Sequence, residues 1–401
     1  MKILQLTKKF PYPLMDGESI AVHYLSKALN DLGCSIDLCS MNTTKHYFDL
    51  DQLPESYDHY NSISTVEVDN RVKILPALLN LFSRKSYHVS RFDSKMFRRK
   101  LRSLLEKEDY DIILLETLYL TPYVSLIRKY SKGKIVMRSH NLEYEIWERM
   151  LKNMPFSASK LYLIYLVRKL KRYELANLNN YDYLITVTQR DLSNFVKLGF
   201  SGHGMVIPIG LDTHDYKSVK LKIQEQLKVS FIGSLDWMPN MEGISWFLNN
   251  VWEKYPDQLK DIELHIAGRN TPDSFKKHKV SNMHVHGEVK SANDFISSCP
   301  VMIVPLFSGS GMRVKILEAM ALERVVITTS LGVEGIQAKD GTHVLIANTA
   351  SDFFEQLKRC RDNPEWLISI GEKARKLITN KYDNKINAER LKQALLKLKE
   401  L

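Results

Sequence analysis

The chain has 401 residues, of which 44% are hydrophobic and 26% charged, a composition typical of soluble globular proteins. This length suggests about two to three domains, and no apolar run approaches the roughly 18 residues needed to span a bilayer. The net charge of +11 excludes no partner but favours acidic ones: nucleic acid, an anionic membrane or phosphorylated substrates.

The start of the chain and its cysteines predict a cytoplasmic protein. Residues 1–7 form a short strand-like run, unlike the apolar core of a secretory signal. The four cysteines have no paired spacing, which agrees with a reducing compartment. His284 and His286 alternate on one strand face, but no Cys or Asp stands near them in the sequence, so we expect ordinary strand positions and no metal site.

The first half of the chain alternates predicted strands and helices. A strand at 2–6 leads through a proline-rich turn to Gly17, and a helix runs from about Ser19 to Leu32. Further strands are predicted at 35–40, 111–115, 134–138 and 183–187. This alternation favours βαβ units and a parallel sheet.

The second half repeats this plan after a boundary at 206–212, which a lysine-rich stretch follows. Strands are predicted at 228–232, 262–267, 283–286, 301–305 and 325–329. We therefore predict an α/β fold of two Rossmann-like, doubly wound domains, 1–206 and 207–383, facing a central cleft that holds the ligand. A C-terminal helix at about 384–401 could pack back on the first domain.

The segment from Ser308 to Met320 has the pattern of an anion cradle. It combines the end of a buried strand, a glycine-rich turn and the start of a helix, whose first N–H groups attract anions. Arg313 and Lys315 add two positive charges, and the Glu318 carboxylate can accept hydrogen bonds from ribose hydroxyls. A nucleotide diphosphate is the ligand that this combination suits best; a turn that binds nothing is the alternative.

Two basic stretches are predicted to form amphipathic helices. Their positive residues are Arg84, Lys85, Arg91, Lys95, Arg98, Arg99, Lys100 and Arg102 in the first, and Arg168, Lys169, Lys171 and Arg172 in the second. Such a face is either a solvated helix surface or a site that docks on an anionic membrane.

Several segments together resemble the retaining GT-B glycosyltransferases of glycosyltransferase family 4, the bacterial glycosyl transferases of group 1. The matching segments occur in family order at 138–144, 206–212, 231–235, 264–268, 286–289 and 316–321. The resemblance implies a nucleotide-sugar donor held mainly by the C-terminal domain and an acceptor held by the N-terminal one. It also implies retention at the anomeric carbon and no obligatory metal, so no cofactor is expected beside the nucleotide-sugar co-substrate.

The cradle departs from the family pattern in two places. Glu318 matches the second glutamate of the family's E-x7-E motif and is expected to hold the ribose, but the first glutamate falls at Ser310. The loop after Gly233 lacks the Arg and Lys with which the family clamps the diphosphate. We therefore hypothesise that Arg313 and Lys315 form this clamp, which requires an irregular first helical turn because residues two apart point to different sides of a regular helix.

The other expected contacts lie where strands end. Donor contacts are expected from Gly233, Ser234, Gly287, Glu288, Val289, Ser310, Gly311 and Met312. In the N-terminal domain, the resemblance implies that His140 contacts the donor sugar, and we expect it to act in catalysis with Arg313 and Lys315; a packed strand-end histidine is the alternative. Gly17 and Glu143 are candidates for acceptor or cleft contacts.

The leading prediction is a retaining, metal-independent hexosyltransferase. It would move a sugar from a nucleotide diphosphate sugar to a glycan or lipid-linked acceptor in bacterial surface polysaccharide or glycoconjugate synthesis, in the cytoplasm or at the inner membrane face. Same-face transfer assisted by the diphosphate is favoured over a covalent intermediate. One alternative is a nucleotide-sugar epimerase of the same fold. The other is a basic nucleic-acid-binding protein, which lacks support because no compact recognition motif accompanies the charge.

Overall fold

The computed structural model describes residues 1–14, 17–73, 80, 83, 85–217, 226–272, 275, 282–309 and 311–400. Arg84 and Ser310, which the sequence singled out, therefore lie outside the described residues. The chain forms two compact units: Met1–Gly210 together with Asn384–Leu401, and Leu211–Asp383.

The first unit contains a parallel sheet whose strand order is β3-β2-β1-β4-β5-β6-β7. In chain order the strands are β1 (Lys2–Thr7), β2 (Ser35–Thr43), β3 (Ser62–Val68), β4 (Ile112–Leu115), β5 (Lys134–Ser139), β6 (Tyr183–Thr186) and β7 (His203–Val206). The helices are α1 (Gly17–Asp31), α2 (Tyr87–Ser90), α3 (Lys95–Lys107), α4 (Val124–Tyr130), α5 (Glu143–Asn153), α6 (Ala158–Ala176) and α7 (Gln189–Lys197), with 3₁₀ turns at Thr44–His46, Leu50–Gln52 and Leu118–Tyr123.

Both faces of this sheet are covered, so the central strands β1, β4 and β5 are almost entirely buried and mostly apolar. Successive residues of β1 point to opposite faces: Leu4 and Leu6 belong to one core, whereas Ile3 belongs to the other. All four residues of β4 are buried for the same reason. The apolar residues of these strands made them predictable from the sequence.

The last helix, α13 (Asn384–Glu400), returns to the first unit. Its Leu391 and Leu395 pack in the same core as Leu25 and Leu29 of α1. The first unit also extends past the predicted limit at residue 206, because buried Ile207 donates its N–H to the carbonyl of Thr186 at 2.9 Å and packs in that core.

The second unit contains a parallel sheet of strand order β10-β9-β8-β11-β12-β13. The strands are β8 (Leu227–Ile232), β9 (Ile262–Ala267), β10 (Met283–Gly287), β11 (Val301–Val304), β12 (Val325–Thr328) and β13 (Leu345–Ile346). The helices are α8 (Met238–Phe247), α9 (Ala292–Ser297), α10 (Val314–Ala321), α11 (Ala350–Asp362) and α12 (Pro364–Lys381), with a 3₁₀ turn at Thr213–Asp215 and a π-helical segment at Leu248–Trp252.

The strands that the sequence did not reveal lie at sheet edges. β3 and β7 are the outer strands of the first sheet, and β13 is an outer strand of the second. β3 alternates Ser, Thr and Glu with apolar residues, and β7 is half exposed and contains a glycine. Because an edge strand needs no continuous apolar run, its sequence resembles that of a loop.

Candidate donor site and strand-end network

The glycine-rich cradle has the predicted arrangement of strand, turn and helix. It connects β11 to α10, and Gly309 and Gly311 adopt left-handed φ angles of 102° and 81°. L side chains rarely adopt such angles, so glycine is required by the shape of the turn. Arg313 then adopts an extended conformation as the N-cap of α10, with φ −91° and ψ 93°. Lys315 lies within the first helical turn.

The Lys315 ammonium lies at the carboxyl end of β8. Its Nζ donates hydrogen bonds to the carbonyl oxygen of Ile232 at 3.1 Å and to Oδ1 of Asn240 at 2.9 Å, and lies 5.0 Å from the centroid of the Phe231 ring. Burial and the positive charge of Arg313 lower the pKa of Lys315 to about 7, although Glu318 acts to raise it. The site therefore holds a cation whose hydrogen-bond partners are neutral oxygens.

Gly233 provides the space that this ammonium occupies. A Cβ at residue 233 would lie 2.8 Å from Nδ2 of Asn240 and 3.1 Å from Nζ of Lys315. Asn240 also donates through Nδ2 to the carbonyl of Ser234 at 2.9 Å. The structure thus brings Gly233, Ser234 and Lys315 together, with Asn240 as the connecting residue that the sequence analysis missed. The sequence feature that could have identified Asn240 was its position in the first turn of the helix that follows the Gly233 loop.

Arg313 lies outside the regular part of α10 and folds back on its own turn. Its Nη1 donates to the carbonyl of Gly311. Because the residue is extended rather than helical, the condition for Arg313 and Lys315 to approach one ligand is met. Joint contact with a diphosphate remains a prediction.

Glu318 lies one turn further along α10 and accepts a hydrogen bond from the hydroxyl of Tyr216 at 3.2 Å. Burial raises the pKa of Glu318, although the Tyr216 hydrogen bond and Lys315 both act to lower it. Tyr216 stands 102 residues away in the chain, so no local pattern could have predicted the contact. The carboxylate is positioned and partly buried, as a ribose-binding group would be.

The remaining predicted donor residues are divided between two places. Met312 is buried beside the cradle, with 8% of its surface exposed. Gly287 has a φ of 70° and accepts the N–H of Gly268 at 2.8 Å, followed by exposed Glu288 and half-buried Val289. β10 is separated from β11 in the sheet by β9 and β8, so this second group lies three strands away from the cradle strand.

His140 belongs to a buried polar network at the carboxyl ends of β4 and β5. Its Nε2 lies 3.2 Å from Oε2 of Glu116, which also accepts from Nη1 of Arg138 at 3.1 Å. Nε2 of Gln5 donates to the other carboxylate oxygen at 2.6 Å. Burial would raise the pKa of Glu116, but Arg138, His140 and Gln5 together hold it below its usual value. An ionised carboxylate therefore orients the His140 ring.

Sequence reasoning missed Glu116 as part of this network. It directly follows the all-apolar strand β4 and is fully buried. A carboxylate immediately after a buried parallel strand was the signal that could have identified it, because strand ends are where ligand-facing residues gather.

Glu143 begins α5 and accepts a hydrogen bond from the hydroxyl of Tyr119 at 3.0 Å. The N-terminus of α5 is capped by Glu174, which accepts from the N–H groups of Glu143 at 3.1 Å and Tyr144 at 3.0 Å. Burial and the neighbouring Glu143 raise the pKa of Glu174 to about 8. Because Glu174 caps the N-terminus of α5, the Glu143 side chain is not needed as a helix cap and accepts a hydrogen bond from Tyr119 instead.

Gly17 is the exposed first residue of α1, and no atom lies near the position that a Cβ would take. The next residue, Glu18, pairs with Nζ of Lys8 at 3.1 Å. The structure places Gly17 beside charged groups but shows no close approach that would demand a glycine.

The histidines of β10 have a carboxylate neighbour that the sequence analysis did not foresee. Ligand atoms of Glu263, His265 and His284 lie within 4.8 Å of one another. His265 contacts Oε2 of Glu263 at 3.2 Å and Nε2 of His286 at 3.0 Å. The sequence analysis considered only Cys and Asp as partners of these histidines and so missed Glu263. A separation of up to 4.8 Å exceeds the ~3.3 Å between ligands of tetrahedral zinc, so these side chains would have to move to hold such an ion.

The two parallel sheets with their flanking helices are those of a GT-B glycosyltransferase, and the family comparison agrees. Residues 15–215 match the family described as Glycosyltransferase Family 4, and residues 226–363 match the family described as Glycosyl transferases group 1. The chain belongs to this group of glycosyltransferases.

Individual relatives are distant but cover almost the whole chain. An uncharacterized 44.6 kDa protein in the cps region of Klebsiella pneumoniae is 23% identical and covers 96% of this chain and 97% of its own. Sucrose-phosphate synthase from Thermosynechococcus elongatus has a TM-score of 0.72 at 15% identity, with 99% of both chains covered. Anabaena HepE in complex with UDP has a TM-score of 0.66 at 14% identity, covering 99% of this chain and all of its own. These structural likenesses show the GT-B fold.

Among the described residues, none of the helices combines the length and the apolar character that crossing a membrane requires.

The pKa of Lys315 leads to a stability prediction for the unliganded protein. Its folded-state value of about 7 lies below the usual 10.5, so burying the charge destabilises the fold fully below pH 7 and progressively less as the pH rises towards 10.5. Lys315→Met should therefore raise the melting temperature relative to wild type at pH 6.5 and lose this advantage by pH 10. Thermal unfolding at both pH values tests this, with exposed Lys358→Met as the control. An effect of equal size at both pH values would contradict the assignment.

Proposed function

We propose that this protein is a retaining glycosyltransferase that transfers a sugar from a nucleotide diphosphate sugar to a glycan or lipid-linked acceptor. The observation that carries the proposal is the half-buried Lys315 ammonium beside Arg313, held by neutral oxygens where a glycine-rich turn meets a helix. Such a group gains most when an anion completes its environment. Relatives solved with UDP and with UDP-glucose support a nucleotide-sugar donor.

In this proposal the second unit binds the donor. Lys315 and Arg313 contact the diphosphate, and Glu318 accepts hydrogen bonds from the ribose. The backbone of Gly311 and Met312 faces the sugar and its phosphates. Gly233 and Ser234 let the diphosphate approach the end of β8, while Gly287, Glu288 and Val289 contact the base through their backbone.

The proposed chemistry needs no metal ion or other cofactor. The charge that develops on the leaving diphosphate is neutralised by Lys315, Arg313 and the N-terminus of α10. A buried ammonium is well suited to this role because its interaction with an anion is strengthened where water is excluded.

Retention is proposed to proceed by same-face attack while the diphosphate is still close. Asp236, the carboxylate nearest in sequence to the Gly233 loop, accepts from the hydroxyl of Ser234 at 2.5 Å and from Nδ2 of Asn270 at 3.0 Å. These contacts are those of a residue that orders its own loop, which favours the diphosphate-assisted route over a covalent intermediate at Asp236. His140, oriented by Glu116, is proposed to contact the transferred sugar.

The biological setting is proposed to be bacterial surface polysaccharide or glycoconjugate synthesis. The name of the Klebsiella relative places that protein in the cps region, which supports this setting.

The reaction can be tested by following donor and product together. With a nucleotide-sugar donor and a glycan acceptor in the presence of EDTA, we expect acceptor-dependent donor consumption and a product with the same anomeric configuration as the donor sugar. NMR of the product gives the configuration, and Glu318→Gln serves as the impaired variant. Inversion, an absolute need for added metal or a trapped glycosyl-enzyme adduct would each contradict part of the proposal. Conversion of the donor to an isomer without any acceptor would instead indicate an epimerase.

Membrane association is proposed for one face of α6. Leu161, Tyr165, Arg168 and Arg172 are exposed and spaced to lie on a single helix face, and Phe156 just before the helix is 82% exposed. Apolar and basic side chains side by side suit the interface of an anionic bilayer.

Not all of the basic residues in these stretches contribute to such a surface. Lys169 is 5% exposed and points inward, where its Nζ donates to the carbonyl of Asn80 at 2.5 Å and to Oδ1 of Asn80 at 2.9 Å. Lys171 pairs with Glu148 at 3.3 Å. The expectation of a continuous basic face through 168–172 was therefore wrong at Lys169, because the apolar side of α6 packs against the unit and Lys169 lies on that side.

Sedimentation with phosphatidylglycerol vesicles tests the surface. Wild type should bind at low salt and less at high salt, and Arg168→Glu with Arg172→Glu should reduce binding at low salt because each reverses a charge facing the lipid. Lys358→Glu is the matched control for a change in net charge. Absence of wild-type binding at low salt would remove this part of the proposal.

A further inference from the structure

The first unit contains a cavity of about 500 Å³ that none of the proposed donor residues lines. Its walls come from the residues after β1, the first turn of α1, the end of β2, the segment after β3, α2, α5 and α6. All of these elements belong to the same compact unit. This volume lies in the range of small-molecule binding sites and has room for one or two sugar rings.

Fixed positive charges outnumber negative ones around this cavity. Lys8, Lys9, Lys45 and Arg91 line it, against the single carboxylate Glu18 among its described lining residues. Glu18 lies 3.1 Å from Nζ of Lys8 and 4.0 Å from Nζ of Lys9. The formal charge of the described lining residues is therefore positive, which favours an anionic occupant.

Several residues that line this cavity have buried polar atoms with no hydrogen-bond partner within the described chain. These atoms are both ring nitrogens of His88, Oγ1 of Thr43, Oδ1 of Asn70 and Nε of Arg91. His88 is only 4% exposed, and Thr43 is fully buried. Unpaired buried polar groups are costly and uncommon in native proteins, and a cluster of them around one cavity indicates that a ligand supplies the missing partners.

The same walls provide aromatic surface. The rings of His88 and Trp147 lie 4.4 Å apart, and Phe92 and Tyr162 also line the cavity. Burial and Arg91 lower the pKa of His88 to about 4, so its ring is neutral at pH 7 and offers one donor and one acceptor. Aromatic faces with a few convergent polar groups form the usual lining of a small-molecule site, and sugar hydroxyls would satisfy both ring nitrogens.

A chain of contacts connects this cavity to Glu143. Nζ of Lys8 lies 4.7 Å from the centroid of the Tyr119 ring, and the Tyr119 hydroxyl donates to Oε2 of Glu143 at 3.0 Å. Trp147 follows Glu143 by one turn of α5, so the two side chains share a helix face. A sugar in the cavity would therefore lie next to the residue expected to contact the acceptor.

We propose that this cavity binds the acceptor and that the acceptor is an acidic saccharide, whose carboxylate or phosphate lies among Arg91, Lys8, Lys9 and Lys45. The inference rests on the proposed transferase function, because it gives the cavity the role of the acceptor site. It adds a selection by charge: an anionic sugar forms charge-assisted hydrogen bonds with these cationic groups, and a neutral sugar cannot form them.

Trp147 permits a direct binding measurement on the full-length protein. It is the single tryptophan of residues 1–210 and 384–401, and Trp147→Phe removes its contribution to the fluorescence. Titration with methyl glucuronide, glucose 1-phosphate and neutral methyl glucoside should give saturable changes, with at least one anionic sugar binding about tenfold or more tighter than the neutral one. Whichever anionic probe binds more tightly identifies carboxylate or phosphate as the preferred group.

Charge-removing variants complete the test. Exposed Lys45→Gln and half-buried Arg91→Gln should each weaken binding of the preferred anionic sugar by about fivefold or more and leave methyl glucoside binding unchanged. Exposed Lys132→Gln, away from the cavity, should change neither. Equal affinity for charged and neutral sugars, or no effect of either variant, would overturn the proposal.

A measurement of donor binding distinguishes failure of this proposal from failure of the proposed transferase function. Stabilisation of the fold by nucleotide sugars should be the same in wild type, Lys45→Gln and Arg91→Gln, which also shows that the variants are folded. If nucleotide sugars did not stabilise the wild-type protein, the transferase function would be contradicted. The anion selectivity of the cavity could still be measured separately by the fluorescence titration.

Discussion

The second unit is organised around a lysine ammonium that is held by neutral oxygens. Lys315 joins the first turn of α10 to the last carbonyl of β8 and, through Asn240, to the start of α8. Gly233 must be a glycine for this junction to form, since a Cβ would approach both Asn240 and the ammonium. The cradle, the Gly233 loop and the start of α8 are therefore fixed by one cation, and the anion that would neutralise it is expected from the substrate.

In the first unit, the buried charge is the carboxylate of Glu116, and the protein itself supplies its partners. Glu116 is ionised and paired with Arg138, His140 and Gln5, so its hydrogen-bonding capacity is used within the protein. Such a network fixes the orientation of the ring it contacts and leaves little for a ligand to complete. The contrast agrees with the two proposed roles. The ring of His140 is oriented by the protein itself, whereas the charge of Lys315 is neutralised only when the anionic diphosphate binds.

The sequence was informative where one local pattern sufficed. Continuous apolar runs revealed the central strands, and the glycine-rich turn before α10 revealed the cradle, because both features are set by neighbouring residues. The contacts of Lys315 with Asn240 and of Glu318 with Tyr216 join residues 75 and 102 positions apart, so only the folded chain shows them. Lys169 shows the same limit: its type suggested a solvated face, but its place on α6 directs it inward, onto Asn80.

The central claim is that the cradle binds the diphosphate of the donor through Arg313 and Lys315. A thermal-shift screen across nucleotide sugars identifies the donor, since a ligand at about 100 times its dissociation constant adds roughly 2.7 kcal/mol of stability. Calorimetric titration of that donor into wild type, Arg313→Ala and the exposed control Lys358→Ala then tests the clamp. The account predicts that Arg313→Ala weakens donor binding by about tenfold or more while the control binds as wild type does. Unchanged donor affinity in Arg313→Ala would contradict it.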